Sequence, residues 1–333
     1  MTQCELADRV GLSRKTVNHI IQGSASITAE TALKLETALG VPAQFWLSMD
    51  AQYQEFLARK AQRASFQPWI SWLQRIPYKE MALLGWVPEA STAEEQIGAA
   101  LSYYGTATPA AWEACWAQWN VSYRKSKLAT ADLGILSAWL RKGELDAQKI
   151  TTQAFHPERF RGALKEIRTL LQTPPEVFQP EMRRLCADAG VAVVLTPELK
   201  KLRVNGAMYW LASEKALVQL SLLYKSQDHF WFTFFHEAAH VLEERKKGCF
   251  MEGIGVDDEA ERAANDFACD ILIPRQHYHK FVCQRDFCER RVKRFAEELA
   301  IPPGIVVGRL QHDKKLRYHQ LNHLKLKFVW AQH

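Results

Sequence analysis

The sequence contains no apolar run long enough to cross a membrane, since no stretch reaches about 18 uninterrupted apolar residues. It opens on the polar segment Met1-Thr2-Gln3-Cys4-Glu5, without a basic-then-apolar leader. No repeat of fixed period is present. Cysteines 4, 115, 186, 249, 269, 283 and 288 are odd in number and include no CxxC pair. That pattern argues against a disulfide framework or a zinc knuckle, and fits reduced thiols in a cytoplasmic protein. Charge of one sign is also in short supply. Lys and Arg number 43 against 37 Asp and Glu, a net +6 that is too weak alone to demand a nucleic-acid partner. What is present is a chain of 333 residues with 47% hydrophobic and 24% charged residues. It can bury a sizeable core, is not a disordered or collagenous protein, and is long enough for two or three domains.

The periodicity predicts an α+β protein, mostly helical, in three regions: 1–60, 61–185 and 186–333. In the first, Leu6, Ala7 and Val10 repeat at helical spacing before Gly11. Ser13 caps a second helix with Val17, Ile20 and Ile21 inward, and Thr28 caps a third from Ala29 to Leu39, closed by Gly40 and Pro42. The stripe Phe45, Trp46, Met49, Tyr53, Phe56 predicts one more helix. The middle region is punctuated by prolines and holds Trp69, Trp72, Trp86, Trp112, Trp116, Trp119 and Trp139. It reads as a packed helical core with aromatic filling, with a ligand-sensing pocket as the alternative. After Gly190 the period shortens. Residues 191–195, 207–211 and 216–222 are strand candidates, and a helix follows from about Phe230.

The most informative residues are His236-Glu237-Ala238-Ala239-His240. Two histidines at i and i+4 on one helix face can bind one Zn²⁺ through ring nitrogens, and Glu237 stands at the metal's flank, where it can take a proton from water. A third ligand is needed. In the helix predicted to run to Pro274, Glu261 shares a face with Ala264, Ala268 and Leu272, which makes it the first choice, with Glu259 second. Asp257, Asp258 and Glu259 suit the acidic first turn that a helix dipole favours. Two His and one Glu leave a coordination position for water, the geometry of a catalytic site. The implied chemistry is peptide hydrolysis, with Glu237 as general acid/base. Tyr209, Tyr224, His277 and Tyr278 are candidate oxyanion donors that the sequence does not rank, although ordinary packing or surface exposure is the better explanation of each.

Phe230–His240, Glu261-x-x-Ala-Asn265-x-Phe-Ala268 and Ile271-Leu-Ile-Pro274 together resemble the ImmA/IrrE family of zinc metallopeptidases. The whole chain is similar to the architecture that joins a HigA-like (XRE-type) helix-turn-helix to such a peptidase. The resemblance implies a gluzincin-like fold with His236, His240 and Glu261 as zinc ligands and Glu237 as acid/base. It also implies regulatory proteolysis of a repressor- or antitoxin-type protein. The alternative is a HigA-like transcriptional regulator or antitoxin whose peptidase fold is a non-catalytic sensing module.

At the N-terminus, Ala7, Gly11 and Val17 have helix-turn-helix spacing. Ser13–Gln22 is the candidate recognition helix, with Arg14, Lys15, Thr16, Asn18, His19 and Gln22 facing outward. No acid lies in it, which suits double-stranded DNA as a partner. A helical protein-binding module is the alternative, and helix-turn-helix readers often dimerise to match paired half-sites. Met1 falls where the second helix of an XRE bundle would begin, so the first helix is expected to be missing and Leu6, Val10 and Leu35 to be exposed. From residue 275 onward, thirteen basic residues face five acids. This reads as a solvated basic face. The stretch 292–311 also resembles a helix-turn-helix, a second nucleic-acid candidate.

Overall fold

The computed structural model describes residues 1–116, 132–244 and 258–330. Trp119, Cys249 and Asp257 lie outside the described residues. The fold is α+β and mostly helical, with one three-stranded sheet. The chain forms two compact units, 1–71 with 92–97 and 72–91 with 98–333.

In the first unit, helix α1 (Gln3–Val10) opens with a capping box. The Glu5 N–H donates to Thr2 Oγ1 at 3.3 Å and the Thr2 N–H to Glu5 Oε2 at 2.8 Å. Gly11 ends it at φ 62°, where a Cβ would be strained. Ser13 caps α2 (Arg14–Ile21), and Thr28 caps α3 (Ala29–Leu39), which Gly40 closes. α4 (Ala43–Ala64) is longer than its stripe predicts and passes residue 60. Ala7, Val10, Val17 and Leu35 form the core, with Leu6, Ile27, Leu39 and Trp46 packed on it. Two expectations are corrected. Val10 and Leu35 are buried and Leu6 is half-buried, because α1, α2 and α3 close on one another and on Trp46. Ile21, one turn beyond Val17 at the end of the helix, is 55% exposed because the small core of Ala7, Val10, Val17 and Leu35 does not extend to it.

The second unit begins with α5 (Ile70–Leu73), α6 (Tyr78–Leu83) and the C-terminal part of α7 (Ala93–Tyr104), followed by α8 over 109–116. Trp72, Trp112 and Trp116 are buried here, with rings edge-on to Tyr104. This is aromatic packing. α9 (Leu133–Gln148), α10 (Pro157–Thr169) and α11 (Pro175–Asp188) lead into the sheet. Strands β1 (Val191–Leu195), β2 (Gly206–Ala212) and β3 (Lys215–Leu220) lie in the order β1-β3-β2. β3 runs parallel to β1, with Val191 opposite Ala216, and antiparallel to β2, with Gly206 opposite Leu220. The central β3 is almost wholly buried, so Ala216, Leu217 and Val218 follow one another without alternation, and the buried Gln219 amide donates to the Trp139 carbonyl at 2.7 Å.

α12 (Gln227–Glu244) packs on β2 and β3 and also against α13 (Asp258–Leu272). Phe230, Trp231, Phe234, Phe235, Ala238 and Val241 bury its apolar side in the core. Ala264, Ala268 and Leu272 are the buried side of α13, and the two alanines let the helices approach closely. Arg168 of α10 holds the C-terminal end of α13, donating to the carbonyls of Ile271 at 2.6 Å and Leu272 at 3.4 Å. Then follow α14 (Arg275–Cys283), α15 (Glu289–Glu298) and α16 (Pro303–His312). α16 buries Ile305, Val306, Val307 and Leu310, so 292–311 does not present a free reading helix. On α15, Lys293 pairs with Glu289 and Arg294 with Glu298, as on a solvated face.

Candidate functional site

The histidine helix presents His236 and His240 one turn apart, and α13 presents Glu261 towards them. His236 Nε2 and His240 Nε2 are 3.1 Å apart. Glu261 Oε2 lies 3.4 Å from His236 Nε2, and Oε1 3.3 Å from His240 Nε2. Ligands of a tetrahedral Zn²⁺ at about 2.0–2.1 Å are separated by about 3.3 Å, so a cation of that size would fit these spacings. Among the described residues this is the only group of three or more His, Cys, Asp or Glu side chains close enough to share a cation. Glu259 is not part of it.

The protonation pattern fits the same use. His236 Nδ1 is 3.1 Å from Asn265 Oδ1. An amide oxygen only accepts, so with a cation on Nε2 the hydrogen would stand on Nδ1 and be donated to Asn265. Asn265 stands one turn beyond Glu261 on the same helix. Hydrogen bonds from His236 and His240 hold the Glu261 carboxyl well below the usual carboxylate range, which keeps it in its ligating form. Burial pushes the Glu237 carboxyl up, against the pull of the two imidazoles. A carboxylate displaced upward is suited to taking and returning a proton.

His236 and Glu237 open on a cleft of about 860 Å³. Gly206, the first residue of edge strand β2, lies against Glu237. A Cβ there would stand 2.6 Å from Thr233 Cγ2 and 2.9 Å from Glu237 Cγ. Glycine therefore lets the strand backbone pass the acid/base candidate at close range. Neither Gly206 nor Asn265 carries a sequence signal for these roles beyond Asn265's place in the motif. Both depend on which elements meet.

The far wall is built by α16 and the segment 322–330. Lys327 bridges antiparallel to Ser226, the Gln227 N–H donates to the Leu326 carbonyl at 2.9 Å, and the Phe328 N–H to Lys225 at 2.8 Å. Lys325 Nζ pairs at 2.6 Å with Asp228 Oδ2, and Asp228 is only 6% exposed. Gly308 of α16 leaves the space that Asp228 fills.

The candidate oxyanion donors scatter. Tyr209 is buried and donates to the Leu140 carbonyl at 3.0 Å. Tyr278 donates to Asp313 Oδ2 at 2.6 Å. His277 is exposed and does not line the cleft. Tyr224 alone of the four lines it, stacked on His229 with ring centroids 4.4 Å apart. Arg309, His312 and Tyr318 also line the cleft.

In the first unit, Arg14, Lys15 and Gln22 are exposed on α2, whereas Asn18 and His19 are half-buried. The Thr16 hydroxyl is 2.8 Å from Ser13 Oγ and belongs to the cap, so of the six reader candidates it is the one tied up locally. No helix among the described residues is long and apolar enough to cross a membrane.

Against known proteins, no curated sequence and no solved structure matches the chain. Residues 1–46, which hold α1, α2 and α3, match the family model HTH_3, described as Helix-turn-helix, so the chain carries an N-terminal domain of the kind found in DNA-binding regulators.

Proposed function

We propose that the chain is a zinc-dependent endopeptidase of ImmA/IrrE-like type, joined to a DNA-binding helix-turn-helix, that acts as a regulator by cleaving a specific repressor- or antitoxin-type protein. The observation that carries this reading is the triad His236, His240 and Glu261 at tetrahedral spacing, with Glu237 beside it on an open cleft. His236, His240 and Glu261 would hold the zinc. When bound, the zinc supplies a Lewis acid and lowers the pKa of water. Asn265 fixes the His236 tautomer, and Glu237 takes the proton of the attacking water and returns it to the leaving amine.

The test combines metal analysis with proteolysis. The purified chain is expected to hold about one zinc, as one three-ligand site requires. His236→Ala loses the zinc, whereas Glu237→Gln keeps it and loses cleavage of the co-expressed target. A chain with no affinity for zinc overturns the reading.

A second reading is favoured by the HTH_3 match: a transcriptional regulator or antitoxin in which the metal site senses rather than cuts. It predicts salt-sensitive binding to the chain's own promoter, unchanged by Glu237→Gln, with no neighbour-encoded protein cleaved.

A further inference from the structure

The cleft has two chemically different ends. One holds His236 and Glu237. The other, at the start of α12, is walled by Lys327 from the segment bridged to Ser226, and Arg203 from the loop before β2 also lines the cleft. Among the described residues the only carboxylates lining the cleft are Asp228 and Glu237. Asp228 is already neutralised by Lys325. Glu237 sits at the metal end. Glu198, on the same loop as Arg203, is held by the Trp330 indole at 3.2 Å and does not line the cleft. Arg203 and Lys327 are exposed and have no carboxylate or carbonyl partner among the described residues. Two unpaired cations therefore face a space that a substrate of the proposed peptidase would occupy.

We infer that this end of the cleft is a subsite for an acidic side chain of the substrate, with Arg203 and Lys327 as its specificity-determining residues, an inference that rests on the peptidase reading. Helical rise fixes the distance. Ser226 precedes His236 by ten residues and His229 precedes it by seven, so the cationic end lies about 10–15 Å along α12 from the first ligand. An extended peptide advances about 3.3 Å per residue, which puts the acid three or four residues from the scissile bond, on one side of it only. An Asp, Glu or phosphorylated side chain is the complement of these cations. A lysine or arginine there is repelled, and the attraction weakens with salt because both cations are solvent-facing.

The experiment digests a proteome-derived peptide library with the zinc-loaded full-length chain and sequences the products by mass spectrometry, in low and high salt. The expected result is enrichment of Asp and Glu at one position three or four residues from the cut. Matched peptides bearing that acid or Gln should differ about tenfold in kcat/KM at low salt and less at high salt. In Arg203→Gln and Lys327→Gln the ratio falls towards one, and Arg203→Glu shifts the preference to Lys and Arg. Zinc content and circular dichroism establish that these variants are folded. Cleavage with no acidic preference, or a preference that survives both Gln variants, overturns the inference and leaves the peptidase reading standing. A preference abolished by C-terminal amidation of the peptides also overturns it, since a terminal carboxylate would then be the ligand. No cleavage of any peptide by the zinc-loaded chain overturns the peptidase reading and the inference with it.

Discussion

The candidate reader helix and the candidate metal triad are built on opposite plans. On α2, the residues offered to DNA stand on one short helix, and Arg14, Lys15 and Gln22 are exposed. At the metal end, each functional group is fixed by another element. Asn265 of α13 orients His236 of α12, Glu261 of α13 meets both rings, and Gly206 of β2 closes on Glu237. A surface that docks a flexible polyanion tolerates mobile side chains. A site that must hold an ion and move a proton needs its donors within a few tenths of an ångström. Substitutions should therefore cost little and additively on α2, and much and non-additively at the triad.

The most severe way to break the contrast is Glu237→Gln. General acid/base catalysis is worth about 10²–10⁴-fold, so kcat should fall by that order while zinc content stays unchanged. Equal loss of zinc would mean that Glu237 is a ligand or a structural residue instead. Next is Asn265→Ala. Removing the partner of a ligating histidine lowers metal affinity by about 10–100-fold, measured by competition with a chromogenic chelator. No change would leave His236 oriented by packing alone.

These two variants also divide what the sequence reveals from what it hides. The caps Thr2, Ser13 and Thr28, the stops at Gly11 and Gly40, and the i, i+4 histidines are local events, so spacing alone predicts them. The face shared by Glu261, Ala264, Ala268 and Leu272 is local too, which is why the carboxylate partner could be chosen from one helix. Gly206 approaches Glu237 only because β2 lies at the sheet edge beneath α12, and no feature of residues 200–210 announces that. Tyr209 and Tyr278 look like free hydroxyl donors in the sequence, yet Leu140 and Asp313 claim them from 69 and 35 residues away. The exposure expected of Val10 and Leu35 fails for the same reason, because three short helices and Trp46 cover them.

A smaller effect sharpens the comparison from the steric side. Gly206→Ala must push Thr233 or Glu237 aside, and overpacking of this kind costs about 1–3 kcal/mol. Thermal unfolding should register it, together with a fall in kcat, whereas Ala at exposed Lys15 should leave both alone. On the reader side, Lys15→Ala should lower the slope of log affinity against log salt by about 0.9 if the lysine contacts one phosphate. An unchanged slope would remove Lys15 from the interface.

A further variant away from both sites concerns Asp313. Burial alone would raise its pKa, but hydrogen bonds from Tyr278, Arg309 and His312 outweigh it and hold the carboxyl below the usual range. The folded state thus prefers the charged form. Its contribution is present above the unfolded carboxylate pKa and is lost as pH falls through the lowered native value. Asp313→Asn should destabilise by roughly 1–2 kcal/mol at neutral pH and flatten the acid limb of the stability curve. Denaturant melts at several pH values test this, and parallel curves for both proteins would refute it.

The segment that bridges Ser226 and pairs Lys325 with Asp228 has a consequence in time. Lys325 follows Glu261 by 64 residues. At about 5–20 residues per second, a ribosome needs roughly 3–13 s to travel that distance. During that interval the nascent chain already carries His236, His240 and Glu261, yet the Asp228 carboxylate near the start of the histidine helix still lacks its ammonium. Of the residues that line the cleft, Lys325 and Lys327 are the last to be made, so its far wall is the latest part of the site to be completed.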